Sequence, residues 1–242
     1  MKQIIDIETW ERKENFNFFR RFQNPQLSIT SEVECGGAKK RAKEAHQSFF
    51  LHYLYAVLRA ANEIPELRYR IDPEGRVVLY DQIDILSPIK IKENGKFFTI
   101  RFPYHEDFET FYQEARKIID SIPENGDPYA AENGEVANGD YGLILLSATP
   151  DLYFTSITGT QEKQSGNNYP LLNAGKAIIK TPFIINCRFD RYSFGEKVRI
   201  SGFNAQSPIV VMATTLVTDP FPVKTTPKIN PRCIEITTHS CT

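Results

Sequence analysis

The segment LILLSATPDLYFTS, residues 143–156, stands at the centre of the predicted sheet. Its first four residues are apolar, as in a buried strand. Pro150 cannot donate a hydrogen bond to a sheet ladder, so we expect the strand to stop before it. Ser147 is then a serine at the end of a strand. On the local pattern alone, such a serine is interpreted as capping its own turn.

Two more short strands are predicted after this segment. Residues 154–158 are rich in aromatic and β-branched side chains, and residues 171–179 are apolar with Gly175 in the middle. Hydroxyl groups and backbone amides would therefore gather at one edge of the predicted sheet.

Helices and strands interleave in the preceding part of the chain without a strict strand-helix-strand repeat. The predicted helices are 7–22 with Thr9 as N-cap, 39–45, 48–64 and 106–122, and the predicted strands are 26–34, a 69–80 hairpin, 83–91 and 97–102. A polar surface loop is expected over 123–140. This order predicts an α/β (α+β) fold with a mixed β-sheet backed by helices.

Composition excludes several classes of function. The chain has 242 residues, of which 41% are hydrophobic and 24% charged, and its net charge is −1. These values favour a globular protein with no electrostatic surface for nucleic acid. No apolar run reaches the roughly 18 residues of a membrane span, and the start lacks a signal-peptide pattern, so we expect a cytoplasmic protein. The four cysteines have no CxxC spacing, so neither a metal site nor a disulfide framework is predicted.

Three separated motifs carry a family resemblance. The first is Trp10-Glu-Arg12-Lys13-Glu14-x-Phe16-x-x-Phe19, and the second is Pro65-Glu-Leu-Arg68-Tyr-Arg. The third is Ser147-x-x-Pro150-x-x-x-Phe154-Thr155-Ser156, followed by Pro170-x-x-x-x-Gly175-Lys176. In this order and spacing they resemble the chloramphenicol acetyltransferases, over roughly residues 1–180.

The resemblance implies a reaction and a set of site residues. In that family, acetyl passes from acetyl-CoA to the primary hydroxyl of chloramphenicol, on a homotrimer with sites between subunits. Ser147 matches the serine that donates to the tetrahedral oxyanion, and Asn173 stands where many members carry a supporting threonine. Arg12 matches an arginine that supports an aspartate of the site. Phe19 matches an aromatic position of the antibiotic pocket, although its place on the helix also fits plain core packing.

The family's base is a histidine in a His-His-x-x-x-Asp-Gly motif, and this chain lacks that motif. Its four histidines are His46, His52, His105 and His239, and none is followed by Asp and Gly at the required spacing. Prolines are frequent over residues 219–231, a composition typical of an extended tail. We therefore divide the chain into a family-like domain, 1–180, and a divergent or non-family segment, 181–242.

Three kinds of function stay open on the sequence. The first is chloramphenicol O-acetylation, which the motifs favour. The second is a catalytically inactive relative that at most binds CoA or chloramphenicol, since the general base is absent. The third is a subunit that lends its pocket face to an intact partner. Binding without turnover distinguishes the second from the first, and mixed trimers would indicate the third.

Overall fold

The computed structural model describes residues 1–22, 26–90, 97–122, 127, 129, 142–153, 169–176, 182–190, 197–201 and 233–237. The helices are α1 (Lys13–Phe19), α2 (Gly36–Glu44), α3 (Phe49–Glu63) and α4 (Phe108–Asp120), with a 3-10 turn at Pro65–Arg68. The strands are β1 (Lys2–Ile4), β2 (Gln26–Glu34), β3 (Tyr69–Ile71), β4 (Val77–Tyr80), β5 (Asp84–Lys90), β6 (Phe97–Phe102), β7 (Leu143–Tyr153), β8 (Leu171–Lys176), β9 (Pro182–Asp190), β10 (Lys197–Ser201) and β11 (Cys233–Thr237).

A six-stranded mixed sheet forms the centre of the molecule, in the order β2-β9-β8-β7-β5-β6. β7 runs parallel to both β5 and β8, and the remaining neighbours are antiparallel. Strands β1, β4 and β3 make a smaller antiparallel sheet, and β10 pairs with β11. The predicted mixed sheet backed by helices is thus confirmed.

Helix α3 covers one face of the large sheet because its side chains are apolar almost all round. Leu51, Leu54, Val57 and Leu58 are fully buried and pack in one cluster with residues of β5, β7 and β8. Such a helix gains its stability from burial, at about 0.8 kcal/mol for each buried CH₂ group. Within the described part of the chain, no helix is long and apolar enough to cross a membrane.

Arg70 joins the small sheet to the large one. Its guanidinium is buried, and it donates to the carbonyls of Leu67 and Tyr69 and, across the molecule, to that of Leu143 at the start of β7. Arginine suits this place because its several donors can satisfy several carbonyl groups at once. The guanidinium therefore fixes where β7 begins.

The first helix begins later than predicted. Residues 6–10 form turns in which Asp6 accepts from the backbone N–H of Glu8, at 3.0 Å, and from the hydroxyl of Thr9. Thr9 is therefore not the N-cap, and α1 begins at Lys13. Helix α2 begins three residues before the predicted 39. Strand β2 and the bounds of α3, with Ser48 and Ile64 as its caps, agree with the prediction.

The predicted end of the central strand is also wrong. β7 continues through Pro150 to Tyr153. Its register with β8 shifts between Thr149 and Tyr153, so Pro150, which has no N–H to donate, falls in the irregular part of the ladder. Ser147 therefore lies within the strand and not at its end. The predicted strand 154–158 lies outside the described residues, as does most of the predicted loop 123–140.

The chain beyond residue 181 contributes a strand to the large sheet. β9 pairs along its length with β2 on one side and with β8 on the other. The division at residue 180 stays a prediction. Most of residues 202–242 lies outside the described part, apart from β11.

Candidate functional site

Ser147 and Asn173 lie directly opposite each other on the parallel strands β7 and β8. Paired residues of neighbouring strands point to the same face of a sheet. Both side chains are half-buried, and among the described residues neither makes a hydrogen bond. The two positions named from the sequence are therefore brought together, with a hydroxyl and an amide side by side.

The alternation of the strands places this pair on the face away from α3. Leu146 and Leu172, their neighbours in the chain, are buried in the core cluster that contains α3. Ser147 and Asn173 therefore belong to the other face, where Leu143 packs in a separate small cluster.

The polar row continues across the sheet in register. Asn173 is paired with Asn186 of β9, and Asn186 is paired with Thr30 of β2. Ser147, Asn173, Asn186 and Thr30 therefore occupy successive register positions on four strands. The sequence did not predict this alignment, because Thr30 and Asn186 lie more than 150 positions apart in the chain.

The backbone beneath Ser147 is fixed by two hydroxyl groups. Ser87 of β5 is fully buried and donates to the carbonyl of Leu146, at 2.7 Å. On the other side, Thr149 donates to the carbonyl of Ala174, at 3.2 Å. These contacts hold β7 against both neighbouring strands, as a site needs if its donor is to stay in place.

Arg12 is paired with a carboxylate from another element. Its Nη2 lies 2.7 Å from Glu66 Oε1, its side chain is only 11% exposed, and its guanidinium lies 5.9 Å from the ring centroid of Tyr69. The sequence places these residues 54 positions apart and gave no signal of the pairing. Support of a catalytic aspartate by Arg12 stays a prediction.

Phe19 lies in the packing between α1 and the small sheet. It is buried in a cluster with Phe16 and Val77, and its ring centroid is 5.0 Å from that of Phe18 and 5.9 Å from that of Phe22. This is the core position that the helix pattern also allowed. Its predicted part in a substrate pocket stays a prediction.

The three histidines in the described part of the chain all lie outside its strands. His46 is exposed just after α2, with a φ of +53°. His52 on α3 contacts Gln47, with 2.8 Å between Nε2 and Oε1, and His105 is paired with Glu114 of α4. His239 lies outside the described residues. Within those residues, no group of three or more potential ligands could hold a metal ion.

A family model described as chloramphenicol acetyltransferase matches residues 2–181. The chain belongs to the chloramphenicol acetyltransferase family. The resemblance predicted over residues 1–180 is confirmed, and the family match ends one residue before β9.

Individual relatives agree with this assignment. A chloramphenicol acetyltransferase of Staphylococcus aureus is 26% identical over 179 residues, which are 73% of this chain and 79% of the relative. One of Clostridium perfringens is 25% identical over 177 residues, covering 72% and 77% of the two chains. A solved structure named chloramphenicol acetyltransferase is 82% identical with a TM-score of 0.76, covering 81% of this chain and 92% of that one. The family fold is therefore shown for this chain.

Proposed function

We propose that this member of the chloramphenicol acetyltransferase family transfers acetyl from acetyl-CoA to the primary hydroxyl of chloramphenicol. The observation that carries the proposal is the in-register pair of Ser147 and Asn173 on the sheet face away from α3. The names of the relatives supply the acceptor, and acetyl-CoA is the co-substrate that the family resemblance implies.

Ser147 would act on the charge that develops during transfer. The acceptor oxygen forms a bond to the thioester carbonyl carbon, and the carbonyl oxygen becomes an oxyanion to which the Ser147 hydroxyl donates. Collapse of this intermediate breaks the carbon–sulfur bond and releases CoA, while the acceptor proton passes to a base. Removing one such oxyanion donor costs about 10²–10³ in kcat. Asn173, beside it, can donate from its amide group.

A second candidate function is binding of CoA or chloramphenicol without turnover. It is favoured because the histidine motif of the family is missing from the sequence, and because His52 contacts Gln47 and His105 is paired with Glu114. A positioned general base is worth about 10²–10⁴ in rate. A chain without one would keep the fold and lose most of the reaction.

Release of free CoA thiol from acetyl-CoA, with and without chloramphenicol, tests the proposal. We expect release that depends on chloramphenicol, falls about 10²-fold in Ser147→Ala, and is unchanged in Ser121→Ala, an exposed serine at the end of α4. Saturable binding of either ligand by equilibrium dialysis, without release, would select the second candidate. Folded protein that shows neither would contradict both.

The proposal also covers the oligomeric state, the cellular compartment and two residues near the site. By family resemblance we propose a homotrimer in the cytoplasm, with Phe19 near the acceptor and Arg12, the residue before α1, supporting the site. Native mass spectrometry of the purified chain tests the assembly, and a monomer at micromolar concentration would contradict it. Fractionation of cells that express the chain tests the compartment.

A further inference from the structure

The regular pairing of β5 with β7 ends just before the candidate site. The two strands run parallel, and the paired residues of β5 end at Leu86. Earlier in this ladder, the N–H of Asp84 donates to the carbonyl of Gly142, at 2.9 Å. Because every second residue of a parallel strand bonds to the same neighbour, the next donors on β5 are residues 86 and 88. The carbonyl that faces residue 88 in this register is that of Leu146.

A proline occupies the position that would supply this donor. Pro88 has no N–H, so its backbone cannot bond to the carbonyl of Leu146. The side chain of the preceding residue does so instead: the Ser87 hydroxyl donates to this carbonyl, at 2.7 Å, and Ser87 is fully buried. A buried carbonyl without a donor is unfavourable, so the hydroxyl replaces the missing hydrogen bond of the ladder.

The carbonyl of Leu146 belongs to the same peptide group as the nitrogen of Ser147. A peptide group is planar, so the direction of its carbonyl also sets the direction of the Ser147 N–H and the position of the Ser147 Cα. On its other side, Ser147 is in register with Asn173 of β8. The Ser87 hydroxyl therefore acts on the peptide group that carries Ser147, from a position that water does not reach.

We propose that Ser87 is a positioning residue for acetyl transfer: its hydroxyl holds the peptide group before Ser147, so that the Ser147 hydroxyl points to the developing oxyanion. This inference rests on the proposed function, and it adds a buried residue that does not touch the substrates. A displacement of about 1 Å in a reacting site can cost about 10²-fold in rate. Because the oxyanion forms only during the reaction, loss of the Ser87 hydroxyl should lower kcat with little effect on KM.

Steady-state kinetics of chloramphenicol-dependent CoA release test the proposal. We expect Ser87→Ala to lower kcat about tenfold and to leave the KM for each substrate within about twofold. Ser87→Thr keeps a hydroxyl and should recover most of this loss. Ser87→Cys keeps the volume but is a weaker donor, so its kcat should be intermediate, and it serves as the test if Ser87→Ala does not fold.

Thr99→Val is the matched control for loss of a buried hydroxyl. Thr99 is a buried residue of β6, which pairs with β5 and not with β7. The variant should therefore leave kcat unchanged. A fall in kcat equal to that of Ser87→Ala would overturn the proposal, because it would show that any loss of packing in this part of the sheet lowers the rate.

A double variant separates positioning from a general loss of structure. If Ser87 acts through the Ser147 hydroxyl, Ser87→Ala should lower kcat less than about twofold further in a chain that already carries Ser147→Ala. The group that Ser87 positions is then already absent. If the two losses multiply instead, the residues act independently and the proposal is overturned.

An NMR measurement reads the same contact without turnover. Leucine labelled with ¹³C at its carbonyl carbon and serine labelled with ¹⁵N select the three Leu–Ser pairs of the chain, at 27–28, 86–87 and 146–147. The signal of the last pair is the one that disappears in Ser147→Ala. Loss of the Ser87 donor should shift the Leu146 carbonyl carbon and the Ser147 amide nitrogen, and leave the signal of residues 27–28 in place.

The two measurements distinguish failure of this proposal from failure of acetyl transfer. If the unaltered chain releases no CoA but Ser87→Ala shifts the signal of residues 146–147, acetyl transfer is contradicted and the positioning of Ser147 by Ser87 is supported. Unchanged shifts in a folded Ser87 variant, or an unchanged kcat in an active one, would overturn the positioning role.

Discussion

Asp72 shows how a single carboxylate fixes the turn between β3 and β4. Its Oδ1 accepts from the backbone N–H of Glu74 and of Arg76, at 3.1 and 2.8 Å, and its Oδ2 accepts from Arg76 Nε at 2.7 Å. Gly75 takes a φ of +78°, which a residue with a side chain rarely adopts. Burial raises the pKa of the Asp72 carboxyl, but the hydrogen bonds from Arg76 outweigh it, and the pKa is lowered.

We predict that Asp72 makes the free energy of unfolding fall as the pH is lowered into the acid range. Its folded pKa lies below the unfolded value of about 3.9, so its contribution is present above that value and is lost as the pH falls through the folded pKa. Asp72→Asn should cost about 1–3 kcal/mol at pH 7 and flatten the fall below about pH 4. Urea unfolding between pH 7 and pH 3 measures both effects. Asp120→Asn, on exposed α4 surface, is the control, and an acid profile of Asp72→Asn that parallels the unaltered chain would contradict the prediction.

The residues of the candidate site could be named from the sequence, but their arrangement could not. Ser147 and Asn173 follow from family motifs, whereas their alignment is set by the pairing of β7 with β8. The contact of Arg12 with Glu66 likewise depends on how α1 packs against the 3-10 turn. Such long-range contacts leave no periodic pattern in a single sequence.

At the scale of elements, the sequence predicts best where one local signal dominates. Helix α3 is apolar over four turns and has an extended residue at each end, so both bounds are predicted within one residue. The predicted start of α1 is wrong because the Thr9 hydroxyl donates to the Asp6 carboxylate, and these residues form turns before the helix. The predicted end of β7 is wrong because Pro150 lies where the register of β7 with β8 is irregular. The hydrophobic periodicity of a sequence does not show which residues of two strands are paired.

Asn62 is predicted to be the main polar connection between α3 and the strand region that follows it. Its amide donates to the carbonyls of Leu58 and Ile83, at 3.0 and 2.9 Å, and accepts from the N–H of Ile83 at 2.9 Å. Because Ile83 is buried, Asn62→Ala would leave its backbone groups without these partners. The expected cost is about 1–3 kcal/mol in the free energy of unfolding, measured by urea denaturation.

Gln113→Ala is the matched control for this prediction. Its amide donates only to Glu109 on the exposed face of α4, so the change should stay within about 0.5 kcal/mol. If Asn62→Ala lowers the free energy of unfolding no more than Gln113→Ala does, the hydrogen bonds between Asn62 and Ile83 contribute nothing to stability.

At the scale of the whole molecule, β9 decides whether residues 1–180 can form a domain alone. It lies between β2 and β8, so a chain ending at residue 181 would leave β2 without a partner in the large sheet and expose the edge of β8. Unpaired strand edges also favour association with other chains. A chain ending at Asp190 keeps all six strands, since β10 and β11 belong to a separate sheet.

We therefore predict that a chain of residues 1–190 unfolds cooperatively on heating and that a chain of residues 1–181 does not. Circular dichroism against temperature, with light scattering to detect aggregates, measures the difference. Both chains keep the family-matched part, so the comparison isolates the nine residues of β9. If the 1–181 chain melts as cooperatively as the 1–190 chain, the boundary at residue 180 is a true domain boundary, and the pairing of β9 with β2 and β8 adds little to the stability of the sheet.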